Sequence, residues 1–214
     1  MTAPQREPVG ALVVEARAAI RRHRAGRLLP LLGVAVGVLT SFAQGWLDAP
    51  WSSLANAASP WLVVAFVVGY LRPTVGSAAL LGMLTCLGEV AGYYAASSVR
   101  GFGVSATWAA FWLVCALVGG PLFGACGRWA REHGSRPAAW GAAAPAATFL
   151  GEGVGAYWLR LGYRQEAVLF VALGLVAGGF ALARVPTRAT TTVAIVVGAL
   201  GGVAVYGGVL GMLG

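Results

Sequence analysis

Apolar runs close to 20 residues long recur seven times along this chain, and that is the length a helix needs to cross a hydrocarbon core about 30 Å thick. The runs occupy 28–47, 51–71, 75–97, 105–127, 138–159, 167–183 and 189–213. They predict an all-α polytopic transmembrane bundle of about seven spans. Residues 28–214 form one bundle domain, preceded by a basic segment at 1–27.

Composition agrees. Charged residues make up 10% of the chain and hydrophobic ones 58%. A soluble domain averages about 25% charged residues, and so few charges cannot cover a soluble surface. The net charge of +8 raises nucleic acid as a partner, but no soluble face is left to display a basic patch, and the reading excludes it. The expected partner is the lipid bilayer.

All 15 basic residues are arginine, and their positions orient the bundle. With the N-terminus in the cytoplasm, twelve lie in inner segments and three (Arg100, Arg160 and Arg164) in outer loops. That is the asymmetry of the positive-inside rule. If the last span fails to cross, six spans remain and both ends lie inside. Abundant Ala and Gly without Lys point to a high-GC bacterial genome, hence to the bacterial cytoplasmic (inner) membrane. Residues 1–27 hold six arginines and no apolar core, so they do not read as a signal peptide. Within them, 9–24 is either an interfacial basic helix attracted to anionic lipid or a basic tail that only sets topology. Trp46, Trp51, Trp108 and Trp158 fall near the outer face and Trp129 and Trp140 near the inner one, as interfacial belts do. Trp61 and Trp112 lie deeper and are expected between helices.

The second span is irregular, because Pro60 splits it and 61–71 alone is too short to cross. Either the preceding segment completes the span or it dips into the membrane as a broken helix. Irregular backbone at that depth is tolerated only against protein or a water-filled cavity. Pro121 and Pro145 are expected to kink their helices. Small residues four apart, such as Gly33/Gly37 and Gly151/Gly155, fit close helix packing in lipid. Cys86, Cys115 and Cys126 sit in apolar runs without CxxC or Cys/His spacing, so neither a metal site nor another cofactor is expected.

Two carboxylates lie far inside apolar spans, Glu89 and Glu152. A charge at the bilayer centre costs about 3 kcal/mol or more, which makes such residues functional candidates. Their surroundings repeat: 85–94 and 148–157 both read T-x-L-G-E-x-x-G-x-Y. The copies lie on spans three and five, which run in the same direction, so the repeat is parallel. At about 1.5 Å rise per residue both glutamates lie about 21 Å from the inner face, with Gln44 about 24 Å and Asn56 about 22 Å. One polar layer in the outer half thus collects Glu89, Glu152, Gln44 and Asn56. Thr85 and Thr148 lie on the glutamate faces one turn earlier, and Tyr93 is nearby. Two carboxylates facing one cavity would couple and hold a proton or a cation. Alternatively, each is polar glue between helices.

The strings GVLTSFAQGWL at 37–47, SPW at 59–61, GEVAGYY at 88–94, GPLFG at 120–124 and GEG at 151–153 resemble those of a small bacterial multi-pass membrane family of unknown function. The resemblance covers about 28–183 and implies no mechanism. From the residues, the first expectation is a transporter or solute-binding membrane module with a polar, acidic site in the outer half. It would take a small polar or cationic solute, or a proton. The second is a non-catalytic assembly partner that binds another membrane protein or a second copy of itself. The third is a membrane-embedded enzyme with a glutamate acid/base pair, against which no nucleophile or metal set accompanies the acids.

Overall fold

The computed structural model describes residues 31–132 and 134–213. The basic segment 1–27, including the helix expected at 9–24, lies outside the described residues. Among those that are described there is no strand. Helix α1 covers Leu31–Trp46. A 3-10 turn at Trp51–Asn56 leads into α2, Ala58–Tyr70. Then come α3 (Val75–Val99), α4 (Ala106–Trp129) and α5 (Arg136–Glu152). The last of these runs on directly as a π-helix, Gly153–Leu161. Helices α6 (Arg164–Arg184) and α7 (Arg188–Leu213) complete the bundle. Each element coincides with an expected span to within about one helical turn.

Four helices, α3, α4, α6 and α7, are long and apolar enough to cross a membrane. The chain is an all-α membrane protein. Helices α1 and α2 are shorter. With 13 residues, α2 is only about 20 Å long, well short of a bilayer core.

Local chemistry sets the helix starts. Thr74, Ser105 and Ser135 are N-caps of α3, α4 and α5, each accepting from a backbone N–H two or three residues into the helix. Pro121 and Pro145 lie inside α4 and α5, which continue past them.

The second span is a broken helix, and its break is not at Pro60. Ala57 carries the extended backbone, with φ −134° and ψ 151°. Pro60 is the third residue of α2, where a missing N–H leaves no ladder bond unmade.

Helix α3 packs on α4, α2 fits against both, and α5 packs on α6 and α7. Glycines allow the closest approaches. A side chain at Gly33 or Gly37 of α1 would strike the Thr85 or Glu89 carbonyl of α3, and one at Gly69 of α2 would strike the Gly124 carbonyl of α4. Gly151 of α5 lies against Gly202 of α7. Helices α4 and α5 meet near their connecting loop, where Gly141 abuts the Cys126 carbonyl.

Candidate functional site

Between α4 on one side and α5 with α7 on the other lies a cavity of about 1450 Å³, with α2 and α3 behind it. Its wall runs along α4 from its N-cap Ser105 to Trp129, and along α5 and the π-helix that continues it from Trp140 to Leu161.

One side of the cavity is aromatic. Tyr94, Tyr93, Trp61, Trp112, Phe111 and Trp108 form a ladder across α3, α2 and α4, with successive ring centroids 5.3, 5.8, 5.5, 5.2 and 5.8 Å apart. Trp61 is buried at the centre of this core, and Trp112 packs on it.

The polar part is built around the helix break. Both oxygens of Glu152 cap the start of α2: Oε1 accepts from the Ala58 N–H at 3.0 Å and Oε2 from the Ser59 N–H at 2.7 Å. The Ser59 hydroxyl donates to Oε2 at 2.5 Å and lies 3.2 Å from the Thr148 hydroxyl. Ala58 and Ser59 are the first two residues of the helix and the third is proline, so the carboxylate meets the N–H groups of the first turn. Those groups carry the positive end of the helix dipole. Tyr206 of α7 is in hydrogen-bonding reach of the same carboxylate. At the opposite end of α2, Arg131 Nη1 donates to the Tyr70 carbonyl at 3.1 Å and the Arg72 carbonyl at 3.3 Å, and its guanidinium lies 5.7 Å from the Tyr70 ring. A carboxyl group and a guanidinium therefore hold the two ends of one short helix.

A second polar group joins α1 to α3. The Tyr93 hydroxyl donates to Gln44 Oε1 at 2.6 Å, and the Ser41 and Ser97 hydroxyls are 2.9 Å apart. Arg100, just past α3, donates to the Ser41 carbonyl and hydroxyl. Its guanidinium lies 4.7 Å from the Phe42 ring and 4.8 Å from the Phe102 ring.

Of the residues expected at a site, Gln44, Asn56, Tyr93, Thr148 and Glu152 line the cavity. Glu89 and Thr85 do not. The cavity face of α3 is the stripe Cys86, Val90, Tyr93 and Ser97. Glu89 and Thr85 lie one position around the helix, on the face that meets α1. The two motif copies therefore meet the cavity differently: Glu152 lines it, and Glu89 lies behind the wall at Cys86. Thr85 is fully buried and its hydroxyl donates to the Leu81 carbonyl of its own helix at 2.7 Å.

Sequence reasoning missed Ser59, Arg100 and Tyr206. Only Ser59 had a local signal, since Ser before Pro commonly opens a helix.

A family of unknown function (DUF6518) matches residues 18–212. The chain belongs to that family. No curated protein and no solved structure matches it. The DUF6518 match takes in every residue of the cavity wall named above and both glutamate motifs.

Proposed function

We propose that this membrane protein is a solute-binding module of transporter type, whose cavity takes a small organic molecule with a polar or cationic head. The observation that carries this reading is the helix break at Ala57, which adjoins a cavity of about 1450 Å³ with the Glu152 carboxylate in its wall. Irregular backbone at membrane depth is tolerated against protein or a water-filled cavity. Transporters commonly form their sites from such discontinuous helices. Gln44, Asn56, Thr148 and Glu152 supply hydrogen-bonding groups. The aromatic ladder supplies ring faces that attract a cation.

In this reading the protein sits in the bacterial cytoplasmic membrane with its N-terminus inside, as the arginine distribution favours. The polar groups then belong to the outer half. Spans three and five are a parallel repeat. In support, the glycine three residues after each glutamate, Gly92 or Gly155, is covered by a neighbouring helix backbone, α1 or α7.

The test is a fluorescence titration of the purified protein with small amines and quaternary ammonium ions such as tetrapropylammonium, since Trp61 and Trp112 line the cavity. A saturable change is expected in the wild type, and its loss in folded Glu152→Gln. A flat response across the panel would sink the reading.

One observation favours a second reading, a non-catalytic assembly partner. Both oxygens of Glu152 are engaged with α2, as polar glue would be. Glu152→Gln would then reduce folded yield, and no cation would bind even the wild type.

A further inference from the structure

Glu89 is 0% exposed, and its carboxyl oxygens make no well-formed hydrogen bond among the described residues; the weak Cys86 thiol, one turn earlier, is the donor that comes near. Its situation is the reverse of that of Glu152, whose oxygens accept three hydrogen bonds. The neighbouring elements bring no countercharge. Over Leu31–Trp46, α1 has no titratable side chain. On α3 itself, Cys86 lies one turn before Glu89 and Tyr93 one turn after, and the Tyr93 hydroxyl is bound to Gln44. From α4, Cys115 comes near Cys86. Within α2, Trp61 carries no charge. Arg100, just past α3, is held by Ser41 between Phe42 and Phe102.

An ionised carboxylate without hydrogen bonds or a partner in an apolar interior costs many kcal/mol, and such a group neutralises instead. A hard metal ion would need several oxygen ligands, and no group of three or more His, Cys, Asp or Glu side chains gathers among the described residues. The ligand that fits one buried carboxyl whose near donor is a single weak thiol is a proton.

We propose that Glu89 is a proton-binding site of the bundle, set behind the cavity wall at Cys86 and covered by α1. The step is the addition of one proton to the carboxylate and its return to water. The cover is backbone on backbone: Gly33 and Gly37 lie against the Thr85 and Glu89 carbonyls, and Gly92 against the Val34 carbonyl. Beyond it, α1 is tied to α3 by Gln44–Tyr93, Ser41–Ser97 and Arg100. Proton exchange therefore follows the separation of α1 from α3. This inference does not rest on the solute reading.

Infrared spectroscopy of the full chain in lipid nanodiscs at neutral pH tests it. The wild type should show a carboxylic acid C=O band that is lost in Glu89→Gln and kept in Glu152→Gln. The band should shift on transfer to D₂O, and shift faster in Gly37→Leu, where α1 is forced off α3. If Glu89→Gln does not fold, Glu89→Asp should displace the band instead. The proposal is overturned by a wild type with no band, by a band unchanged in Glu89→Gln or Glu89→Asp, or by a band that D₂O never shifts.

Discussion

Ser59 donates twice to Glu152, through its backbone N–H at 2.7 Å and its hydroxyl at 2.5 Å. These bonds tie the first turn of α2 to the point where α5 changes from α- to π-helix. Removing one partner of a buried hydrogen bond to a charged group costs about 1–3 kcal/mol. Ser59→Ala keeps the backbone bonds and should lower unfolding free energy by about 1 kcal/mol. Glu152→Gln turns an NH₂ group toward a backbone donor and should cost more. A double-mutant cycle, read by unfolding in mixed detergent, should give less than the sum of the two. Strict additivity would mean that the pair is not coupled.

Glycine substitutions should divide by location. At Gly69 a Cβ would collide with the backbone of α4 at Gly124. Gly69→Ala should therefore destabilise by about 1–3 kcal/mol, as overpacking does, and reduce folded yield. Gly179, inside α6, has nothing within 4 Å of an added Cβ. Gly179→Ala should raise thermal stability slightly, by about 0.5–1 kcal/mol of helix preference. Similar losses at both positions would contradict the packing of α2 on α4.

Arg100 both donates to Ser41 and lies by the Phe42 and Phe102 rings. A guanidinium can do both at once, and an ammonium cannot. Arg100→Ala and Arg100→Lys should both speed amide hydrogen exchange in the last turn of α1, around Ala43 to Trp46, while the α5–α7 pair keeps wild-type rates. Full protection in Arg100→Lys would show that charge alone suffices.

The native cysteines probe the cavity without mutation. All three are free and line it, but Cys86 is 3% exposed and Cys126 8%, whereas Cys115 is only half-buried. A small methanethiosulfonate reagent should modify Cys115 first, as resolved by peptide mass spectrometry over time. Cys86 reacting first would place the opening elsewhere.

The spans were legible because length and apolarity are local properties, and α3, α4 and α7 lie close to where the runs put them. The break in the second span was legible as a break but not as a position. Pro60 drew attention, whereas the extended residue is Ala57, just before the two N–H groups held by a carboxylate more than 90 positions away. The repeated motif was equally visible in both copies, yet it did not say which way each glutamate faces. That depends on which neighbour covers the helix, α1 over Glu89 and α2 over Glu152, and such choices are tertiary. Tyr206 reaches Glu152 only through the register of α7 on α5, which nothing near residue 206 records.

The two side chains that hold the ends of α2 also have a mechanical consequence. Glu152 grips one end of that helix and Arg131 the other, so a slide along its axis in either direction breaks hydrogen bonds at one end. Helix α2 is thereby expected to be the fixed post of the bundle. A change in the width of the cavity would then come from helices that turn about it, and a spectroscopic distance label on Val67 should stay stationary while they move.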